Sequence, residues 1–157
     1  MAKNSAQELT KKLFSKIIDQ VGLEAELEVK EKDNTVTVNV EGDNLGALIG
    51  YHGETLASLQ LILSLMVNRE FKSEQWQRVI VDIGNWRQER SSALKEMVER
   101  SVEQLENGGQ EKIGLPSMNA AERREIHVII SEEFPIYESV SEGEEPDRRV
   151  FLRRKIS

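Results

Sequence analysis

The sequence contains no cysteine, and only two of its 157 residues are histidines. The lack of cysteine excludes disulfide scaffolds, zinc ribbons, thiol nucleophiles and iron–sulfur clusters. His52 and His127 alone leave little room for a histidine-based metal site or a proton relay. The sequence therefore predicts neither a metal nor a cofactor.

Long hydrophobic runs are also missing. No stretch approaches the ~18 consecutive apolar residues of a membrane span, and residues 1–7 are polar, unlike a secretory signal. Hydrophobic residues make up 38% of the chain, which is enough for a modest core in one domain or two small ones. We expect a small cytoplasmic protein without membrane insertion.

Positive charge is in short supply. The chain carries 21 basic and 28 acidic residues, a formal net charge of −7, and this balance repels nucleic acids on average. Any site for an anion must therefore be local. The densest cationic cluster lies at residues 148–155, with five cations in eight residues. It fits either a local nucleic-acid contact or an ordinary solvated strand.

Hydrophobic periodicity predicts two α+β domains, over residues 1–84 and 85–157. The first begins with a helix that has a capping box at Ser5 and Glu8 and ends at Gly22. Strands are expected at 25–29, 36–40 and 79–83. Between the second and third strands lie a short helix over 45–49, capped by Asp43 or Asn44, and a second helix directly after Gly53. The side chains of this second helix expected to face inward are Leu56, Leu59, Ile62, Leu63 and Met66.

The second domain begins at a seam near Gly84-Asn85 with a long amphipathic helix that closes at about residues 107–109. A short strand at 112–115, ended by Pro116, precedes a helix over 119–134. Asn119 and Glu122 resemble a capping box for this helix. Two further strands are expected at 137–141 and 148–154.

A Gly-x-x-Gly loop, Gly50-Tyr51-His52-Gly53, joins two of the predicted helices. Glycine permits positive φ and close approach of another backbone, and the helix that follows begins with unpaired N–H groups that suit a phosphate. In this element order, residues 48–60 resemble the signature of a prokaryotic-type (type II) KH domain. The resemblance implies a loop that holds about four nucleotides of single strand beside an apolar groove. A purely structural helical hairpin is the alternative.

Tyr51 and His52 stand where many KH domains carry Lys or Arg. Neither side chain has a fixed positive charge near pH 7. Tyr51 is expected to stack on a base and His52 to donate to phosphate, unless Tyr51 only covers apolar surface. Phosphate binding by this loop would then rest on no permanently charged side chain.

Arg123 and His127 lie one helical turn apart, at the edge of an apolar stripe. We expect a partly buried pair whose polar tips reach the surface. Residues 115–127 resemble the R-three-H domain, named for its Arg-x-x-x-His motif, and residues 141–150 resemble the closing strands of that domain in bacterial proteins. The resemblance implies contacts to single-stranded nucleic acid from Arg123, Arg124, His127, Arg148 and Arg149. A snorkelling arginine beside a hydrogen-bonded core histidine is the structural alternative.

A KH-like domain followed directly by an R-three-H-like domain resembles the bacterial Jag family, also called SpoIIIJ-associated or KhpB-like proteins. The resemblance covers the chain from about residue 24 onward. It implies binding of single-stranded RNA, pairing with another KH-domain protein or with a second copy, and a role in post-transcriptional, cell-envelope or elongation control. An adaptor that pairs with another KH protein and binds little or no RNA is the alternative function. Many Jag proteins carry an extra N-terminal domain on a long linker, and because this sequence starts almost at the KH-like segment we expect the function of that domain to be absent.

Asp82, Arg87 and Arg90 form a third group. Both arginines fall within the apolar arc of the long helix near its N-terminus, where the helix dipole disfavours cations. The sequence therefore predicts a structural ion pair with Asp82, the nearest carboxylate, that holds the two units together. Contact of the arginines with nucleic acid is the alternative.

No catalytic constellation emerges from the residue pattern. Acidic pairs such as Glu132-Glu133 and Glu144-Glu145 fall in helical or turn-like contexts without a cleft. The sequence has no P-loop lysine motif and no nucleophile, histidine and acid at a familiar spacing. It predicts a binding protein and not an enzyme.

Overall fold

The computed structural model describes residues 5–72 and 74–156 of the chain. These divide into two units, Met1–Arg87 and Gln88–Ser157, and the outermost residues of the two predicted domains, 1–4 and 157, lie outside the described residues. Helices and strands are mixed in both units, so the predicted α+β class is confirmed.

The first unit follows the predicted order of elements. Its helices are α1 (Ala6–Val21), α2 (Gly46–Ile49) and α3 (Glu54–Phe71), with a single turn of 3-10 helix (Tyr51–Gly53) between the last two. Its strands are β1 (Glu26–Lys32), β2 (Thr35–Glu41) and β3 (Arg78–Ile83). The Ser5 hydroxyl accepts a hydrogen bond from the Glu8 backbone N–H at 3.2 Å, and Gly22 ends α1 in the left-handed conformation.

The sheet of the first unit has the order β1-β2-β3, with β1 and β2 antiparallel and β2 and β3 parallel. Alternation along β2 and β3 sends one set of side chains into the core, because successive residues of a strand face opposite sides. This buried set pairs in register across the two strands and consists of Val36, Val38, Val40, Val79, Val81 and Ile83.

Two details of the first unit differ from the sequence prediction. Neither Asp43 nor Asn44 caps α2: Leu45 occupies the cap position and no side chain bonds to the helix there. Ile62 was expected to face inward but is 50% exposed, whereas Val67, which was not among the expected inward residues, is buried. Because α3 buries Leu56, Leu63 and Val67, its narrow inward face leaves the flank that carries Ile62 in solvent.

The second unit holds most of the long helix α4 (Trp86–Asn107), then β4 (Lys112–Ser117), α5 (Ala120–Glu133), β5 (Tyr137–Glu142) and β6 (Arg149–Arg154). Its strands form an antiparallel sheet in the order β4-β6-β5. Asn119 caps α5 by accepting a hydrogen bond from the Glu122 N–H at 2.9 Å. Pro116 was expected to end β4 but lies inside it, which an edge strand tolerates because proline lacks only an N–H donor.

Each unit has its own hydrophobic cluster. The cluster of the first unit centres on Phe14, Leu56 and Leu63, and draws its members from residues 6–86. The cluster of the second centres on Leu94 and Ile126 and draws its members from residues 94–152. Within the part of the chain that the structure describes, no helix combines the length and hydrophobicity needed to cross a bilayer.

Among the described residues, neither hydrophobic cluster includes a buried side chain from the other unit. We therefore expect fragments 1–87 and 88–157 each to fold when expressed separately. Domains of about 55–65 residues already fold alone in many cases. Circular dichroism should show helical spectra and a cooperative thermal transition for both fragments. A fragment that stays unfolded while the whole chain is folded would mean that its core is incomplete.

Candidate nucleic-acid interface

The Gly50–Gly53 turn has a backbone that ordinary residues rarely adopt. Gly50 and Gly53 have φ values of 71° and 81°, and His52, between them, has a φ of 48°. A residue with a Cβ pays a steric cost in this region, which explains glycine at both ends of the turn. The turn breaks the chain direction between α2 and α3 where the sequence predicted it.

Close packing, like the positive φ angles, requires glycine at both ends of the turn. A Cβ placed on Gly50 would clash with the side chain of Thr55, and one placed on Gly53 would enter the ring of Trp86, 2.6 Å from its Cζ3 atom. The Trp86 ring therefore lies directly against the backbone of Gly53. The glycines serve both the turn and its support.

Helix α3 begins directly after this turn without a side-chain cap. Gly53 is its N-cap residue and has no side chain to accept from the first N–H groups. Such groups, together with the partial positive charge of a helix N-terminus, form a site for an anion. Glu54 stands in the first turn of the same helix and weakens that site by its negative charge.

The side chains of the turn face solvent. Tyr51 is 69% exposed, and its ring meets the His52 ring edge to face, with the centroids 4.0 Å apart. An exposed aromatic ring beside a helix N-terminus can stack on a base while the backbone holds the adjoining phosphate.

For Asp82, Arg87 and Arg90, which the sequence predicts to form an ion pair, the structure shows contacts with other groups. Asp82 accepts a hydrogen bond from the N–H of Ile83 at 3.0 Å. Arg87 donates to the Val81 carbonyl at 3.3 Å and to Gln60 Oε1 at 3.0 Å. Arg87 therefore closes the outer edge of β3 against α3.

Arg90 is paired with Glu122, at 2.6 Å between Nε and Oε1. The carboxylate is almost fully buried, and the neighbouring side chains Ser91 and Glu125 are joined by a further hydrogen bond. These contacts tie α4 to α5 inside the second unit. Sequence inspection missed Glu122 as an ion-pair partner because its place in a capping box already explained it.

Arg123 is buried, with only 7% of its surface exposed. Its guanidinium donates from Nη1 to the Met118 carbonyl at 2.6 Å and from Nη2 to the carboxylate of Glu145. The expectation that the tip of Arg123 reaches the surface is therefore wrong: the segment before β6 folds back and Glu145 covers it. Glu145 was not identified as a partner from the sequence, since it lies 22 positions away in an irregular segment.

His127 has hydrogen-bond partners at both ring nitrogens. Nδ1 lies 2.6 Å from the hydroxyl of Ser139, and Nε2 lies 2.8 Å from that of Ser141. A neutral imidazole donates at one nitrogen and accepts at the other, and a serine hydroxyl can fill either role. Burial, and then the charge of Arg123, lower the pKa of His127. The two serines, two positions apart on one face of β5, were not identified from the sequence.

The remaining predicted cations divide into exposed and paired ones. Arg124, Arg148 and Arg149 are exposed, and Arg149 donates to the Asp147 carbonyl at 3.4 Å. Arg153, in the same cationic cluster, pairs with Glu138 at 2.6 Å. The structure thus brings together Arg123, His127, Ser139 and Ser141, and leaves Arg124, Arg148 and Arg149 at the surface.

The geometry defines a tandem protein with a KH module and an R-three-H module. Residues 7–83 match the model of the KhpA/KhpB KH domain, and residues 92–154 match that of the R-three-H domain. Proteins named RNA-binding protein KhpB are similar over most of the chain. One from Clostridium symbiosum is 30% identical across 98% of this chain. Others from Lactiplantibacillus plantarum and Bacillus subtilis are 28% and 29% identical across 87% and 73% of it.

The chain belongs to the KhpB (Jag) family, and the resemblance found in the sequence is confirmed. This family is not one of enzymes. The chain spans 68% of the Clostridium relative, but only 41% of the Lactiplantibacillus relative and 54% of the Bacillus relative.

Replacement of Gly53 by alanine tests the packing of the turn. Gly22→Ala is the matched control, because Gly22 also has positive φ but has nothing within 4 Å of the added Cβ. The left-handed conformation alone should cost about 1–2 kcal/mol in both variants. Gly53→Ala should lose about 1–3 kcal/mol more by overpacking against Trp86. Urea unfolding measures both, and equal losses would show that Trp86 gives way freely.

His127 should titrate below the usual histidine value of about 6.5. With its pKa lowered in the folded state, the unfolded chain takes up the proton first as the pH falls. The His127 contribution therefore destabilises the fold increasingly from about pH 6.5 down to the lowered pKa. Resonances of the His127 ring followed by NMR measure the pKa directly. A value above 6.5 would contradict the burial of a neutral ring between Ser139 and Ser141.

Proposed function

We propose that the chain is a non-enzymatic, cytoplasmic protein that binds single-stranded RNA through both of its modules. The KH domain (residues 1–84) would hold the RNA backbone at the Gly50–Gly53 turn, and the R-three-H domain (residues 85–157) would add phosphate contacts. The observation that carries this proposal is the start of α3: an N-terminus without a side-chain cap, preceded by two glycines and an exposed Tyr51. The names of the relatives, which describe RNA-binding proteins, support it.

The energy of binding at the KH turn comes mainly from neutral groups. The first N–H groups of α3 donate to a phosphate, and Tyr51 stacks on a base, a contact worth about 1–3 kcal/mol. His52 adds a ring N–H donor. Because few counterions are released by such contacts, the affinity should depend only weakly on salt.

The R-three-H domain supplies the permanent charges. Arg124, Arg148 and Arg149 are exposed and would contact phosphates from the surface of a protein whose overall charge is −7. Arg123 and His127 hold their present partners inside the domain, so they take part only if a contact is exchanged. Phosphate contacts position the strand and leave base preference to the KH groove.

A second function, pairing with another KH protein or with a second copy, is favoured by one observation. Leu61, Ile62 and Leu65 on α3 are all at least half exposed. Residues three and four apart share a helix face, so they form an apolar patch on one side of α3. A protein that acts only as an adaptor through this patch would bind RNA weakly or not at all, so the affinity for single-stranded RNA distinguishes the two functions. We propose post-transcriptional control as the cellular role, with cell-envelope or elongation control as its expected setting.

Replacement of Tyr51 and His52 together by aspartate should weaken RNA binding at least about tenfold, since the stacking ring is lost and two negative charges face the phosphate. The measurement is fluorescence anisotropy of labelled single-stranded RNA at fixed salt. Asn107→Asp with Gln110→Asp is the matched control, because it adds the same charge at exposed positions of the second unit.

The control variant should bind nearly as well as the unmodified chain, and both variants should melt near its temperature. Equal affinity of the Tyr51/His52 variant and the control would remove the KH turn from the binding surface. Absence of binding by the unmodified chain to any single-stranded RNA would favour the adaptor function.

A further inference from the structure

Glu145 occupies the face of Arg123 that would otherwise meet an anion. The Arg123 guanidinium is bonded on one side to the Met118 carbonyl, at 2.6 Å, and on the other to the Glu145 carboxylate. Only 9% of the Arg123 side chain is exposed, whereas 60% of the Glu145 side chain is. The cation is therefore fixed in the domain, and its partner lies at the surface.

The carboxylate of Glu145 uses the same chemistry as a phosphate of the RNA backbone. Both present negatively charged oxygens that accept charge-assisted hydrogen bonds from a guanidinium. Because only 9% of the Arg123 side chain is exposed and Nη2 already donates to Glu145, a phosphate that binds Nη2 competes with this carboxylate. One anion must leave before the other binds.

The surroundings of Glu145 allow it to leave. It belongs to the irregular segment between β5 and β6, and its exposed side chain fills no core position. Because 60% of its side chain is exposed, the Glu145 carboxylate is hydrated by water as soon as it leaves Arg123. Exchange of Glu145 for a phosphate would replace one anionic partner of the buried guanidinium by another and would leave no buried charge unpaired.

The negative charges of the same segment repel nucleic acid while Glu145 is paired with Arg123. Glu144, Glu145 and Asp147 all lie within four positions, directly before the exposed Arg148 and Arg149. Movement of Glu145 away from Arg123 would uncover one cation and shift one carboxylate away from the approaching strand.

We infer that Glu145 is an internal competitor that occupies the phosphate site of Arg123 until RNA displaces it. This inference rests on the proposed RNA binding by the R-three-H domain and adds how that binding is controlled. RNA that is already bound to other parts of the protein stays near Arg123 long enough to displace the Glu145 carboxylate. A free phosphate ion is not held in this way, so it competes poorly with Glu145, which is attached to the chain.

The test compares Glu145→Gln with Glu144→Gln in the full chain. Both variants remove one negative charge from neighbouring, exposed positions, but only Glu145 touches Arg123. Anisotropy with labelled single-stranded RNA at fixed salt measures affinity, and thermal melting confirms that both variants are folded. Glu145→Gln should bind about two- to fivefold more tightly than the unmodified chain, the equivalent of one exposed ion pair, and Glu144→Gln should change the affinity much less.

Two results would overturn the inference. Equal gains in the two variants would mean that only overall charge matters. A loss of affinity in Glu145→Gln would mean that the carboxylate positions Arg123 for binding. Failure of all three proteins to bind RNA would instead contradict the proposed function itself, which the binding of the unmodified chain tests separately.

Discussion

A guanidinium removed from water must keep a hydrogen-bonded, preferably anionic, partner, and this requirement organises the second unit. Arg123 meets it by joining three segments: α5, on which it lies, the turn before α5 through Met118, and the segment before β6 through Glu145. Arg90 meets it by joining α4 to α5 through Glu122. Arg123, the arginine of the R-three-H motif, therefore needs a partner from the protein itself when no external anion is bound.

Under the proposed function, the first unit would hold an anion with different groups. Its turn depends on two glycines with positive φ and on the Trp86 ring behind Gly53, and its donors are backbone N–H groups. Backbone N–H groups carry no formal charge, so they need no carboxylate partner when no anion is bound. For this reason a KH turn with Tyr51 and His52 in place of cations remains compatible with a chain of net charge −7.

Much of the fold could be predicted from the sequence because the deciding interactions are local. Caps at Ser5 and Asn119, alternation in β2 and β3, and glycines at a turn act over a few residues. The misses that matter for the site are long-range. Which flank of α3 is covered decides the exposure of Ile62, and the return of a distant segment decides that Arg123 is buried by Glu145. Spacing placed Arg123 and His127 on one helix face, but it could not show which groups from β5 and the following segment would meet them.

The two modes of anion binding complement each other in a tandem chain. A neutral turn that stacks on bases has little dependence on charge, and an arginine covered by a carboxylate has little affinity for isolated phosphates. Under the proposed function, a first contact of the RNA with one module would raise the effective concentration of its backbone for the other, so that displacement of Glu145 would become an intramolecular event. The net charge of −7 would then act as a filter, since polyanions that bind only one module would gain too little to overcome the repulsion.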